Sequence, residues 1–363
     1  MAPHKIAVVT ESFYPATDGT TTTVKNVVDR LIDTGHEVMI VAPGPGLATY
    51  RRSTVARIRP LDKPGGQVRD ALAAFGPDLV HVTSPGTLGR KALKHARRQG
   101  VPALVVQQSE VAELTEEYWL RKVAARSDLT LVTCRSMQAR LDGLGVAAPL
   151  WAPGISATAF GPQLRDEWLH GKWSRKRSRG GPLVVIGYVG SLHKRNGVRR
   201  LVDVAKVPGV RLVVIGDGPQ RAWLRGKLPG AKFTGAISGG ELATAFATFD
   251  VFVHPGERET DCHALREASA SGVPVVAPAA GGTPDVVRHD KTGLLYDPTD
   301  ERGLRRAVAA LTSDAATRTS MGSRGRDHVA IRDWPTAVDE LIETHYPAAV
   351  ARHHEAFAPA AAG

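Results

Sequence analysis

Glu259 and Glu267 stand eight residues apart in the stretch Gly256–Gly282, GERETDCHALREASASGVPVVAPAAGG. Eight residues is a little over two helical turns, so glutamates at this spacing share a face if both are helical. The small-residue pattern of Ala264, Leu265, Ala268 and Ala270, closed by Gly272, predicts a helix that carries Glu267 one or two turns in and leaves Glu259 at the end of a loop. The apolar run Val273–Ala277 reads as a buried strand of a parallel sheet. The turn Ala279–Gly282 after it reads as a place where backbone amides approach a ligand. A helix start facing a ligand with free amides and one inward carboxylate suits a sugar nucleotide: the amides meet anionic or hydroxyl oxygens, and the carboxylate takes a ribose diol. The same spacing equally fits an ordinary helix with two solvated glutamates.

The elements that would position these residues alternate along the chain. Ile6–Thr10 is a short apolar run, and Thr23–Thr34 carries Val24, Val27, Val28, Leu31 and Ile32 at helical spacing. Between them, Asp18-Gly19 followed by four threonines supplies a turn and a helix N-cap. Strand patterns recur at Glu37–Val41, Val55–Ile58, Leu79–Val82, Ala103–Gln107 and Leu129–Thr133, with helical stretches between several of them. That alternation argues for a parallel sheet with helices on both faces. The loops Ser84-Pro-Gly-Thr87 and Gln107-Gln-Ser-Glu-Val111 follow two of these strands and would open at the same sheet edge, where ligands bind in such folds. A second alternating half begins at Leu183–Val189 and repeats the pattern through Arg211–Ile215, Lys232–Gly235 and Val251–His254. The expected organisation is an α/β chain of two Rossmann-like domains: residues 1–165, a basic linker at 166–182, a second domain at 183–335, and a C-terminal helix at 336–363 that crosses back to the first domain and ends in a disordered tail.

Composition narrows the function classes. The 363 residues suffice for two domains with separate cores, and no run of eighteen apolar residues predicts a membrane span. Cys134 and Cys262 are too few for a disulfide framework and lack metal-ligand spacing, so a reduced, cytoplasmic setting is expected. The formal charge of +11 is spread, apart from Arg165–Arg179, and no aromatic-interleaved nucleic-acid motif accompanies it. A solvated basic linker, or a peripheral contact with lipid headgroups, accounts for that cluster better than nucleic acid.

The block HPGERETDCHALREASASGVPVVAPAAGGTPDVV resembles the E-x7-E signature of glycosyltransferase family 4, the retaining GT-B enzymes, and is most similar to its actinobacterial GDP-mannose-dependent α-mannosyltransferases. The resemblance runs from about Lys5 to about Tyr346. It implies two Rossmann-like domains and transfer of a glycosyl group from a nucleoside-diphosphate sugar, GDP-linked by resemblance, with no metal and no cofactor. Carried over to this chain, Glu259 meets the hydroxyls of the transferred sugar, and the amides near Asp261, Cys262 and His263 bind the same sugar. Glu267 accepts from the ribose, and Phe233 and Gly235 frame the base. Gly19 and Gly190 border the diphosphate. Gln108-Ser109-Glu110 is close to the Q-T-D form of the mannosyltransferases; with Ser84 these residues make an acceptor site in which Glu110 orients the acceptor nucleophile. Glu110 fits an exposed loop acid as well.

The main departure lies at Gly190–Gly197, GSLHKRNG, where relatives read G-R-L-x-x-E-K-G. Ser191 and Asn196 replace the arginine and lysine that grip the diphosphate, and Lys194 or Arg195, in the same loop, is expected to take over. Asp261 stands where an aromatic residue or glycine is usual. The resemblance therefore leaves three readings: a transferase with a lipid, glycan or small secondary-metabolite acceptor; one with an unusual small nucleophile such as a thiol; and a catalytically silent partner subunit that binds a nucleotide or sugar. The sequence leaves the oligomeric state open.

Overall fold

The structure is a computed structural model that describes residues 4–175 and 181–357. The chain divides into two compact units, one running up to Gly154 and resuming at Trp334, the other spanning Ile155–Asp333.

The first unit is built on strands β1 (Lys5–Val9), β2 (Glu37–Pro43), β3 (Thr49–Tyr50), β4 (Ser53–Ile58), β5 (Leu79–Val82), β6 (Ala103–Gln107) and β7 (Leu129–Val132). They form one sheet in the order β3-β4-β2-β1-β5-β6-β7, parallel except for the short antiparallel β3. The near-continuous apolar runs follow from burial on both faces, with β1 packed between two separate apolar layers. Strand order reverses at β1 and β5, so the loops after these strands flank the ligand crevice typical of doubly wound sheets. Helix Gly19–Asp33 starts where expected: the Asp18 carboxylate accepts from the Thr21 amide at 2.8 Å. The closing helical segment from Trp334 to Phe357, interrupted by a π-helical turn at Leu341–His345, packs on this unit. Trp151 Nε1 donates to the Ala337 carbonyl at 2.7 Å, the Arg30 guanidinium grips Asp339 with two bonds, and the Tyr346 hydroxyl meets His81 Nδ1 at 2.9 Å.

The second unit carries β8 (Val184–Val189), β9 (Val210–Ile215), β10 (Lys232–Gly235), β11 (Val251–Val253), β12 (Val275–Pro278) and β13 (Gly293–Tyr296). Their order, β10-β9-β8-β11-β12-β13, is all parallel and reverses between β8 and β11. β13 went unread in the sequence because Gly293-Leu-Leu-Tyr is short and follows a Lys-Thr-Gly turn.

The expected linker at 166–182 is a correction. Asp166 caps a helix over Glu167–Ser174 by accepting from the Leu169 amide at 2.9 Å, and Trp173 is buried against Phe249 with ring centroids 5.6 Å apart. Arg165 and His170 both reach Asp250, at 3.1 and 2.9 Å. The basic residues hid an N-cap followed by Leu169 and Trp173, which pack on the second unit while Trp168 stays exposed. Residues 176–180 of that linker, and the expected tail beyond Phe357, lie outside the described residues. The unit boundaries accordingly fall at 154/155 and 333/334 instead of 165/166 and 335/336.

Candidate active site

In the second unit the candidate residues gather at the carboxyl ends of β8 and β11, where strand order reverses. β11 ends in His254, whose amide donates to the Val276 carbonyl at 2.9 Å, and the chain then loops through Pro255–Cys262 into the helix His263–Ala270. Glu259 lies in that loop and Glu267 in the second turn of the helix, so the eight-residue spacing is divided between two elements. The loop is held by its neighbour. The Gly282 amide donates to the Glu259 carbonyl at 2.7 Å, and Gly281 adopts φ +60° so close to the loop that a Cβ there would lie 2.6 Å from the same oxygen. The turn after β12 was expected to offer amides to a ligand; the Gly282 amide is spent on holding Glu259 instead.

The two carboxylates sit in opposed electrostatic settings. Burial pushes Glu259 up, but the contact with His254 and its charge, the Cys262 amide and the His263 charge together outweigh it and hold the group at about 2. His254 Nε2 lies 3.4 Å from Glu259 Oε2, and the Cys262 amide donates to Oε1 at 3.3 Å. About a third of the Glu259 side chain (34%) remains accessible, so these partners leave room for a ligand. Glu267 is half-buried, its carboxylate makes no hydrogen bond or ion pair among the described residues, and burial alone pushes it up to about 7. One carboxylate is thus a permanent acceptor, and the other holds its proton near neutrality until something donates to it.

The rim opposite is a backbone lattice. The Gly190 amide donates to the Ile215 carbonyl at 3.0 Å, Gly216 to Gly235 at 2.8 Å and Leu192 to Asp217 at 2.8 Å. A Cβ at Gly216 would collide with the Gly190 carbonyl. This stitching places Gly190, Phe233 and Gly235 along one edge, and it also uses the Gly190 amide, which is a correction to the expectation that it would face a diphosphate. The Ser191 carbonyl accepts from Tyr188 Oη at 3.2 Å and Asn196 Nδ2 at 2.9 Å. Asn196 therefore acts as a loop staple. Lys194 and Arg195 form an exposed 3₁₀ turn in the same loop, and their side chains make no hydrogen bond or ion pair among the described residues. Arg200 is engaged by Glu257 at 3.1 Å and by the Pro298 carbonyl at 2.9 Å.

Asp261 and Cys262 are both buried, and His263 Nε2 lies 3.8 Å from Asp261 Oδ2. The Cys262 side chain joins the apolar core beneath the helix, so only its backbone belongs to the site. Two neighbours, Tyr188 and Arg266, were not singled out from the sequence, and His254, lone at a strand end, fits a structural histidine and a catalytic one equally by sequence. Tyr188 is held up by burial and the Glu259 charge; His254 is described above; the buried guanidinium of Arg266, pushed down by burial, lies within range of Asp261 and Asp285. Arg266 directly precedes Glu267, a position where the helix pattern alone calls for an apolar residue, and that mismatch was the available signal.

In the first unit, Gly19 opens the helix capped by Asp18, so a carboxylate stands beside it. Glu11, absent from the sequence candidates, turns its Oε1 onto the Gly89 amide at 2.9 Å and caps the helix Thr87–Gln99; burial raises its pKa against the amides of Gly89 and Leu88 and the charge of Arg90. Gly86 has no room for a side chain because Glu11 fills that space. The Ser84 carbonyl receives the Gly86 amide at 2.8 Å. Gln107 is locked between the Ser109 carbonyl at 2.6 Å and Trp119 Nε1 at 2.9 Å; Gln108 is buried, while Ser109 and Glu110 are exposed. The carboxyl ends of β1, β5 and β6 thus bring Glu11, Ser84, Gln108, Ser109 and Glu110 to one sheet edge.

A family model described as Glycosyltransferase Family 4 matches residues 17–158, and one described as Glycosyl transferases group 1 matches residues 171–328. The GDP-mannose-dependent alpha-mannosyltransferase of Mycolicibacterium smegmatis is 39% identical to this chain, covering 96% of it and 98% of the relative. The protein of the same description from Mycobacterium tuberculosis is 38% identical, covering 95% and 96%. Among solved structures, sucrose-phosphate synthase from Thermosynechococcus elongatus matches with a TM-score of 0.80 at 22% identity, covering 95% of this chain and 98% of that one. Anabaena HepE in complex with UDP-glucose matches with a TM-score of 0.79 at 17% identity, covering 95% and 100%. At these identities the two structures speak to the GT-B fold alone.

Proposed function

The chain belongs to glycosyltransferase family 4 and is a glycosyltransferase that uses a nucleotide sugar, and on that premise we propose that its donor is a GDP-linked hexose, transferred with retention of the anomeric configuration. The observation that carries this reading is the opposed pair of carboxylates at the β8/β11 reversal, one fixed as an anion and one awaiting a hydrogen-bond donor. Glu267 suits a ribose diol, whose hydroxyls supply the donors it lacks. Glu259 suits the hydroxyls of the transferred sugar and, as a permanent charge, favours the positive carbon that develops as the bond to phosphate breaks. The unengaged cations of Lys194 and Arg195 are placed in sequence to balance the departing diphosphate, replacing the side chains lost at Ser191 and Asn196. The donor's own phosphate takes the acceptor proton, so no protein nucleophile is needed.

The preference for GDP rests on the full-length similarity to proteins described as GDP-mannose-dependent. The acceptor is a glycan or lipid hydroxyl, received at the edge bearing Ser84, Gln108, Ser109 and Glu110. The test is release of free nucleotide from a panel of GDP-, UDP- and ADP-sugars with and without EDTA, followed by NMR of the product's anomeric proton. Turnover confined to UDP-sugars would overturn the GDP assignment, an inverted anomer would overturn retention, and activity abolished by EDTA and restored by a divalent metal would overturn the metal-free chemistry.

A further inference from the structure

His254 is 6% exposed and is held rigidly at the end of β11 by the bond from its amide to Val276. Its Nε2 lies 3.4 Å from Glu259 Oε2, and neither ring nitrogen has a hydrogen-bond partner among the described residues. A buried imidazole with both nitrogens unsatisfied is costly unless it serves a neighbour. The surrounding backbone is shaped to the ring. A Cβ at Gly256 would come within 2.8 Å of Nε2, and a Cβ at Gly197 would collide with the Pro255 carbonyl that turns the chain around it. The other titratable groups at this point are Tyr188 from β8, His263 from the following helix, and Asp261 beside His263. Glu259 is the carboxylate nearest to the ring.

We propose that His254 is a positioning residue for the glycosyl transfer: its Nε2–H sets the orientation of the Glu259 carboxylate, so that one oxygen lobe faces the sugar. The inference rests on the reading of Glu259 as the sugar contact and goes beyond it by assigning the group that aims it. A slight closing of the 3.4 Å gap makes a charge-assisted hydrogen bond from Nε2–H to Oε2, while Oε1 stays on the Cys262 amide. The lone pairs of Glu259 left over then point in one direction.

The experiment is a double-mutant cycle on the full chain with GDP-mannose as the donor probe, using His254→Phe, His254→Gln, Glu259→Gln and the double variant His254→Phe/Glu259→Gln. His254→Phe is expected to lower kcat about tenfold or more while changing the Kd for GDP less than about twofold, because the nucleotide does not touch Glu259. His254→Gln, which keeps a neutral N–H donor, is expected to recover much of kcat. The double variant should be no slower than Glu259→Gln alone, since His254 acts through that carboxylate. Losses that multiply in the double variant, or a His254→Gln variant as slow as His254→Phe, overturn the proposal and leave His254 a packing residue. If Glu259→Gln turns over normally, the sugar-contact reading itself fails, an outcome separable from failure of the His254 variants alone. Should His254→Phe fail to fold, His254→Gln and its double with Glu259→Gln complete the same cycle.

Discussion

Replacing Glu267 by glutamine should make the protein more stable and worse at binding its nucleotide, and the stability gain should depend on pH in a defined sense. Burial raises the folded-state pKa of Glu267 from 4.5 to about 7, so between these values the folded protein holds a proton that the unfolded chain has released. Stability from this group is therefore fully present below about pH 4.5 and is lost as pH rises through about 7. The shift corresponds to about 3 kcal/mol at full strength, and solvent reaching a half-buried carboxylate reduces it to roughly 1–3 kcal/mol. Glutamine carries no such cost. At pH 8.5 the Glu267→Gln variant should melt roughly 3–10 °C above wild type, while at pH 4.5 the two should coincide. The same logic makes nucleotide binding a proton-release event: ribose hydroxyls donate more strongly to the ionised carboxylate than to the protonated carboxyl, so GDP binding at pH 7 should release up to about half a proton, read by calorimetry in buffers of different ionisation enthalpy. The variant should release none and should bind GDP about tenfold or more weakly. Equal melting of variant and wild type at pH 8.5 would refute the buried-carboxylate argument. A gain of the same size at both pH values would show that ionisation is not its source.

Glu259→Gln should lower turnover much more than GDP affinity, measured as kcat against nucleotide Kd; turnover within about twofold of wild type would remove Glu259 from the sugar site. Lys194→Ala or Arg195→Ala should weaken donor binding about tenfold or more at moderate salt, and an effect that vanishes once salt screens it would mark an exposed charge without a ligand. Asp18→Asn should keep the helix cap while removing a negative charge beside Gly19, lowering the donor KM severalfold; a KM that rises would place the diphosphate elsewhere. Trp173→Ala should cost about 3 kcal/mol in urea unfolding, because the ring is buried on Phe249, whereas a linker tryptophan would cost almost nothing.

The two parallel sheets were legible because strands buried on both faces write themselves as near-continuous apolar runs: β8 and β11 are unbroken, and β1, β5, β6 and β9 are interrupted only by Lys5, His81, Gln107 and Arg211. The division of the two glutamates between loop and helix was equally legible, since Gly256, Thr260 and the alanines mark the junction. What escaped was tertiary. Nothing local to Glu267 announces that it lacks a partner, and nothing local to Glu259 announces His254, because the pairing is made by a loop returning on its own strand end. The Gly190 and Gly282 amides were expected for ligands but belong to neighbouring strands and loops, contacts whose partners lie 25 and 23 residues away. Asn196 read as a missing cation; in the fold its amide has a mechanical task at Ser191. The helix at Glu167–Ser174 was overlooked because a dense run of arginines and lysines was weighed above Asp166 and Trp173.

The anchoring of the Glu259 loop by Gly281 and Gly282 bears on how such a site changes over evolutionary time. The main chain there is held from outside by the turn after β12, through the Gly282 amide on the Glu259 carbonyl, and from within by the Glu259 carboxylate on the Cys262 amide. Of the side chains around it, Asp261 and Arg266 are buried charges within range of one another, so exchanging one alone leaves the other without that partner, whereas His263 is only half-buried. A directed library at His263 should therefore yield folded proteins, and altered sugar choice among them would place that residue beside the transferred sugar. Insertions between Glu257 and Cys262, or any side chain at Gly281, should remain inaccessible, because they would displace the backbone on which the choice is made.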